Sequence, residues 1–172
     1  MELEGKRIAI LVEEIYNDLE FWYPYYRLKE AGAEVIVVGS GRSQTYTGKA
    51  GIQVTVDTVA DKMKAADLDG VIIPGGYAPD HMRRYPAMVQ IVRKCLEAGK
   101  VVAAICHGGW MLASAQILKG RTVTSFFSIK DDLVHAGAHF VDQDVVVDGR
   151  LITSRKPDDL PAFMKAIIER LK

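Results

Sequence analysis

Short runs of β-branched and other apolar residues, such as Val71-Ile72-Ile73, alternate along this chain with stretches whose apolar residues recur every three or four positions. A run that is apolar at every position suits a strand covered on both faces. Strands alternating with helices are the pattern of a mostly parallel sheet with helices on both sides. The sequence therefore predicts strands over residues 7–12, 34–39, 70–73, 101–105, 122–125, 145–147 and 151–154. The last two form a hairpin, because Asp148-Gly149 supplies the positive φ angles of a tight turn. Residues 41–57, with Thr47-Gly48 and Gly51, read as a small β excursion of short strands.

Between the strands, Met88, Ile91, Val92, Cys95 and Leu96 share one face of a helix over 85–98, which places Cys95 in the core. Leu160, Phe163, Met164, Ile167, Ile168 and Leu171 do the same for a final helix started by Pro157-Asp158-Asp159. A third helix over 18–31 contains Pro24, which predicts a kink or a late start, and Gly32 ends it.

With 172 residues, 49% of them hydrophobic, the chain is long enough for one domain over 1–172 that buries about 70% of its unfolded surface. Twenty-two basic residues balance 22 acidic ones, which argues against nucleic acid or an anionic membrane as partner and for a small-molecule or peptide substrate. Acidic residues before the short apolar run 8–12 do not make a secretory signal, so a cytoplasmic protein is expected. No apolar stretch approaches the roughly 20 residues of a membrane span. The two cysteines lack Cys-x-x-Cys spacing, and His135 and His139 flank a glycine, so free thiols, no metal and no cofactor are expected.

Chemistry is sought beyond the carboxyl ends of the strands, where open parallel sheets bind ligands. The predicted strand 101–105 runs directly into Cys106-His107-Gly108-Gly109 and then a helical Trp110-Met111-Leu112. This strand, glycine-flanked turn and helix form a nucleophile elbow, and the positive end of the helix dipole should favour the Cys106 thiolate. After strand 70–73, Pro74-Gly75-Gly76 presents backbone N–H groups suited to an oxyanion. After strand 7–12 lies an acidic loop with Glu13, Glu14, Asp18 and Glu20. Tyr16, Tyr77 and Trp110 are candidates to line a pocket, whereas Trp22 is expected to pack and His81 to lie at the surface.

Together, Pro74-Gly75-Gly76, Ala104-Ile105-Cys106-His107-Gly108, Ile129-Lys130-Asp131-Asp132, Val147-Asp148-Gly149 and the segment from Ser154 to Leu160 resemble the PfpI intracellular-protease family of the class I glutamine-amidotransferase-like superfamily. The resemblance implies a flavodoxin-like α/β sandwich, a stress-protective role, and an activity among cysteine peptidase, glutathione-independent glyoxalase and deglycase. It implies Cys106 as nucleophile, His107 beside it, Glu20 bonding the thiolate in protonated form, and Gly75, Gly76, Gly108 and the His107 backbone around the oxyanion and substrate. It also implies a homo-oligomer in which Asp80 orients the histidine of a neighbouring subunit, though Asp80 also reads as the N-cap of helix 85–98. Asn17 departs from a glutamate common in peptidase-like members, and Glu13 or Glu14 are candidates to replace it.

The leading expectation is covalent thiol chemistry on small reactive carbonyls, their adducts or peptides, with small electrophiles favoured over folded proteins. A non-catalytic redox sensor or chaperone using oxidation of Cys106 is the alternative, favoured less because a sensor has no need of His107 and Asp80. An amidotransferase domain ranks last, because Ser154-Arg155-Lys156-Pro157-Asp158 stands where a downstream histidine and glutamate would be needed.

Overall fold

A computed structural model describes residues 1–172. In chain order its elements are β1 (Arg7–Leu11), α1 (Asp18–Glu30), β2 (Glu34–Gly39), β3 (Thr45–Thr47), β4 (Gln53–Thr55), β5 (Thr58–Val59), β6 (Gly70–Ile73), α2 (Ala78–Met82), α3 (Pro86–Glu97) and β7 (Val101–Ile105). A 3₁₀ turn, Cys106–Gly108, leads into α4 (Gly109–Ser114). Then follow β8 (Thr122–Val123), α5 (Lys130–His135), β9 (His139–Phe140), β10 (Val145–Asp148), β11 (Leu151–Ser154) and α6 (Leu160–Leu171).

Seven strands form the central sheet in the order β10-β11-β7-β6-β1-β2-β5, parallel throughout except for β10. Every residue of β6, β7 and β11 is buried, which requires cover on both faces and explains why these segments are apolar without alternation. Helices α1 and α6 pack together over the sheet, and α2, α3, α4 and α5 form a second group. One continuous cluster of 50 buried apolar residues runs from Leu3 to Leu171.

Two expectations are corrected and a third is made specific. Only Thr122–Val123 of the predicted strand 122–125 is extended, and it pairs with β9 in a separate two-stranded sheet. The Thr124 N–H instead donates to the Thr153 side chain at 2.9 Å and the Phe126 N–H to the Cys106 carbonyl at 3.3 Å, so the segment turns across the Cys106 elbow. Pro24 does not delay α1, which runs through it without a break, because the start is fixed upstream by Asn17, whose side chain accepts from the N–H groups of Leu19 and Glu20. The excursion over 41–57 is the antiparallel β3–β4 hairpin, with β5 just beyond it extending the main sheet.

Candidate active site

From β1 the chain proceeds outward through β2 to β5, then returns to the other side of β1 with β6 and β7. The order reverses between β1 and β6, and a crevice opens there beyond the strand ends. The exits of β1 and β6 are pinned to each other: Tyr16 bridges Gly76, the Asn17 N–H donates to the Gly75 carbonyl at 3.1 Å, and the Tyr77 N–H to the Ile15 carbonyl at 2.8 Å. Ile15, Gly76 and Cys106, one at each of the three adjacent strand exits, have φ of 61°, 76° and 60°. For a β-branched residue such as Ile15 this backbone costs about 1–2 kcal/mol, which the pinned loops must offset. At Gly76 a Cβ would lie 2.5 Å from both the Asn17 nitrogen and the Ile15 oxygen, so only glycine fits.

Cys106 is 8% exposed, with its Sγ 3.3 Å from His107 Nδ1. Glu20 is fully buried and borders the same sulfur; its Oε1 accepts the Gly75 N–H at 2.9 Å, and its Oε2 has no hydrogen-bond partner. Burial pushes the Glu20 carboxyl up to about 7, against the opposing pull of the Gly75 N–H. Burial also pushes Cys106 up to about 12, and the neighbouring Glu20 charge adds to it, while the N–H groups of His107 and Gly76 act in the other direction. These directions run against the thiolate that a helix dipole would favour. Helix α4 is six residues long and begins at Gly109, beyond the elbow. When Glu20 is ionised the sulfur keeps its proton. When Glu20 is neutral the repulsion vanishes and a carboxyl O–H can donate to sulfur.

His107 is lowered by burial and by the Lys49 charge, which favours a neutral imidazole. Its Nε2 lies 3.2 Å from Ser128 Oγ. With the proton on Nε2 donated to Ser128, Nδ1 is left as the acceptor for the Cys106 thiol. Ser128 was not foreseen from the sequence. It reaches the site because residues 124–129 cross the elbow.

A cavity of about 490 Å³ opens over the sulfur. Trp110 meets the His107 ring edge-on and Phe126 stacks on it, each with centroids 5.1 Å apart, while Tyr77, Ile15 and Pro157 complete an apolar wall. The Trp110 indole N–H is anchored on Asp132 at 2.8 Å. Lys49, from the β3–β4 turn, also lines the cavity and was not foreseen.

The other predicted residues divide. The Gly75 N–H is occupied by Glu20, so it positions the carboxyl, and the N–H groups facing sulfur are those of Gly76 and His107. Gly108 packs where a Cβ would lie 2.6 Å from the Ile73 carbonyl oxygen, and it is absent from the cavity wall. Asp80 lies within α2, not before α3, and so does not cap that helix; its carboxylate pairs with Arg84. Glu13 and Glu14 do not replace a pocket carboxylate. Glu13 binds Ser40 and Arg42, and Glu14 accepts the Thr47 N–H at 3.2 Å. Tyr16 is fully buried and donates its O–H to the Ile52 carbonyl at 2.6 Å, so it does not line the cavity. Trp22 packs against Phe21 and Tyr25, His81 is half-buried against Tyr77, and Cys95 is fully buried. His135 closes α5 and His139 lies on β9, and no three metal-ligating side chains converge anywhere. No helix is long and apolar enough to cross a membrane.

Residues 6–170 match the model of the DJ-1/PfpI family. The chain is 44% identical over 166 residues to Deglycase PH1704 of Pyrococcus horikoshii, covering 96% of this chain and 99% of that protein. It is 38% identical over 168 residues to the putative cysteine protease YraA of Bacillus subtilis, covering 98% and 99%. Among solved structures, a two-domain protein of Anabaena variabilis with DJ-1/ThiJ/PfpI-like and ferritin-like domains superposes with a TM-score of 0.95 at 45% identity, covering 97% of this chain and 48% of that one.

Proposed function

Because the chain belongs to the DJ-1/PfpI family, we propose that it is a cysteine-dependent enzyme acting on small reactive carbonyls and their adducts, in the manner of a glyoxalase or deglycase. One observation carries this reading: Cys106 Sγ, on a left-handed elbow, lies 3.3 Å from a neutral His107 Nδ1 beneath a cavity of about 490 Å³. A cavity of that size, walled by Trp110, Phe126 and Tyr77, accommodates a small electrophile more readily than a folded polypeptide.

In this mechanism Sγ adds to an aldehyde carbon as the thiol proton passes to His107 Nδ1, forming the C–S bond of a hemithioacetal. The carbonyl oxygen becomes an alkoxide within reach of the Gly76 and His107 N–H groups, then takes the proton back from His107. With methylglyoxal, a proton moved from the hemithioacetal carbon to the adjacent carbonyl carbon, with the hydroxyl proton passing to that carbonyl's oxygen, converts the adduct to a 2-hydroxy thioester. Water then cleaves the C–S bond, releasing lactate and restoring the thiol with no net oxidation. Ser128 keeps the His107 proton on Nε2 at rest, and Glu20 supports the sulfur from below. Asp80, in this proposal, acts on the histidine of a neighbouring subunit in a homo-oligomer.

Incubation of the purified protein with methylglyoxal, followed by enzymatic assay of lactate, should give turnover that the Cys106→Ala variant lacks. Equal rates for both proteins would remove the glyoxalase reading.

A further inference from the structure

The cavity wall contains a single basic side chain other than His107, and the fold is organised to put it there. Lys49 sits in the β3–β4 turn, far in sequence from Cys106, and the turn is held rigidly against the exit of β1. The Lys49 N–H donates to the Tyr16 carbonyl at 2.8 Å, and Gly48 and Gly51 close the turn with bonds of 2.8 and 2.9 Å. Beneath it the Asp18 carboxylate, only 6% exposed, accepts the N–H groups of Ala50 at 2.7 Å and Ile52 at 3.1 Å. A Cβ at Gly48 would overlap that carboxylate, so the turn is packed onto it directly.

The ammonium group itself has no carboxylate partner. It appears in none of the ion pairs of the chain, although 14 are formed elsewhere. Its charge is felt at the reacting groups, since it lowers both Glu20 and His107. A cation on a fixed turn, without a carboxylate partner and lining a cavity that contains no carboxylate, is a recognition group for an anion.

We propose that Lys49 selects substrates in which the electrophilic carbon that meets Cys106 carries a nearby anionic group, a carboxylate above all. This deepens the reading of Cys106 as a nucleophile and rests on it. Among small carbonyls it favours oxo acids over neutral dicarbonyls of the same size. Among adducts it favours those of amino compounds that keep a free carboxylate.

The test uses two alkylating agents of nearly equal shape, anionic iodoacetate and neutral iodoacetamide. In both, the Cys106 sulfur forms a C–S bond, the C–I bond breaks, iodide leaves and the thiol proton passes to His107 or solvent. Rates at Cys106 are followed by intact-protein mass spectrometry with peptide localisation, in wild type, Lys49→Met and Lys49→Arg. The ratio of iodoacetate to iodoacetamide rate should fall about three- to fivefold in Lys49→Met, as expected for losing one exposed charge pair. Lys49→Arg should restore it, and added salt should shrink the wild-type ratio. An unchanged ratio overturns the proposal. So does an equal loss of both rates, since that would mean Lys49 acts on the acidity of the thiol and not on the charge of the reagent. Failure of both reagents to modify Cys106 in wild type would instead overturn the nucleophile itself.

Discussion

Glu20 illustrates how much of the site is decided by one buried carboxyl. Its Oε1 is tied to the Gly75 N–H while Oε2 is unpartnered, and burial raises it to about 7 from the usual carboxylate range. In the unfolded chain the same group titrates near 4.5. Protonation therefore favours the folded state. The contribution is fully present below the unfolded pKa and is lost as pH rises through the folded value. The difference corresponds to about 3 kcal/mol. Glu20→Gln keeps an oxygen for the Gly75 N–H, places an N–H₂ group toward the sulfur and carries no charge. It should be more stable than wild type by up to about 3 kcal/mol above pH 7, with the gain shrinking to nothing below about pH 4.5. Urea denaturation of both proteins across pH 4–8 measures this, and a pH-independent difference would mean that ionisation of Glu20 is not the origin. Burial first and this carboxyl second push the Cys106 thiol up, in the direction opposite to a helix dipole. Sequence spacing reveals the turn, but not that the sulfur would be 8% exposed beside a carboxyl.

At the scale of elements, the site is built by loops that leave adjacent strands and by one segment that crosses them. Residues 124–129 leave the predicted strand because Thr124 finds the Thr153 side chain, and this brings Ser128 to His107. Ser128→Ala should lower kcat in the methylglyoxal assay about tenfold with little change in KM, because His107 loses the partner that fixes its tautomer but the cavity keeps its shape. Ser128→Thr should recover most of the rate. A loss confined to KM would place Ser128 in binding instead. The strands, the elbow and the Pro74-Gly75-Gly76 turn were legible in the sequence because each is a local pattern: an apolar run followed by glycines. Asn17 was read as a missing pocket carboxylate, yet its side chain caps α1 through the N–H groups of Leu19 and Glu20 while its backbone holds Gly75, so it positions Glu20. Lys49 and Ser128 left no such local signal. Their places depend on Asp18 gripping a distant hairpin and on a strand that stops two residues early, both tertiary events.

At the scale of the whole molecule, the catalytic role proposed for His107 calls for one thing its own chain does not give it. In the proposed mechanism His107 becomes a cation on taking the thiol proton, and its neighbours are Ser128 on Nε2, the Trp110 and Phe126 rings, and the charge of Lys49, which opposes it. No carboxylate of the same chain forms an ion pair with it. Asp80, 30% exposed at the side-chain level, is tied in its own chain to Arg84. A carboxylate supplied across a subunit boundary would stabilise the imidazolium and make assembly part of catalysis. Complementation tests this directly. Cys106→Ala and Asp80→Asn proteins should each be nearly inactive alone. Unfolded together and refolded as mixed assemblies, they should recover part of the wild-type rate, because some sites then combine Cys106 of one subunit with Asp80 of another. Two variants that fail within one chain cannot restore each other if Asp80 acts only on its own histidine. Absence of recovery in a mixture whose light scattering shows intact oligomers would leave Ser128 as the only partner orienting His107. A monomer in wild type would end the shared-site reading outright.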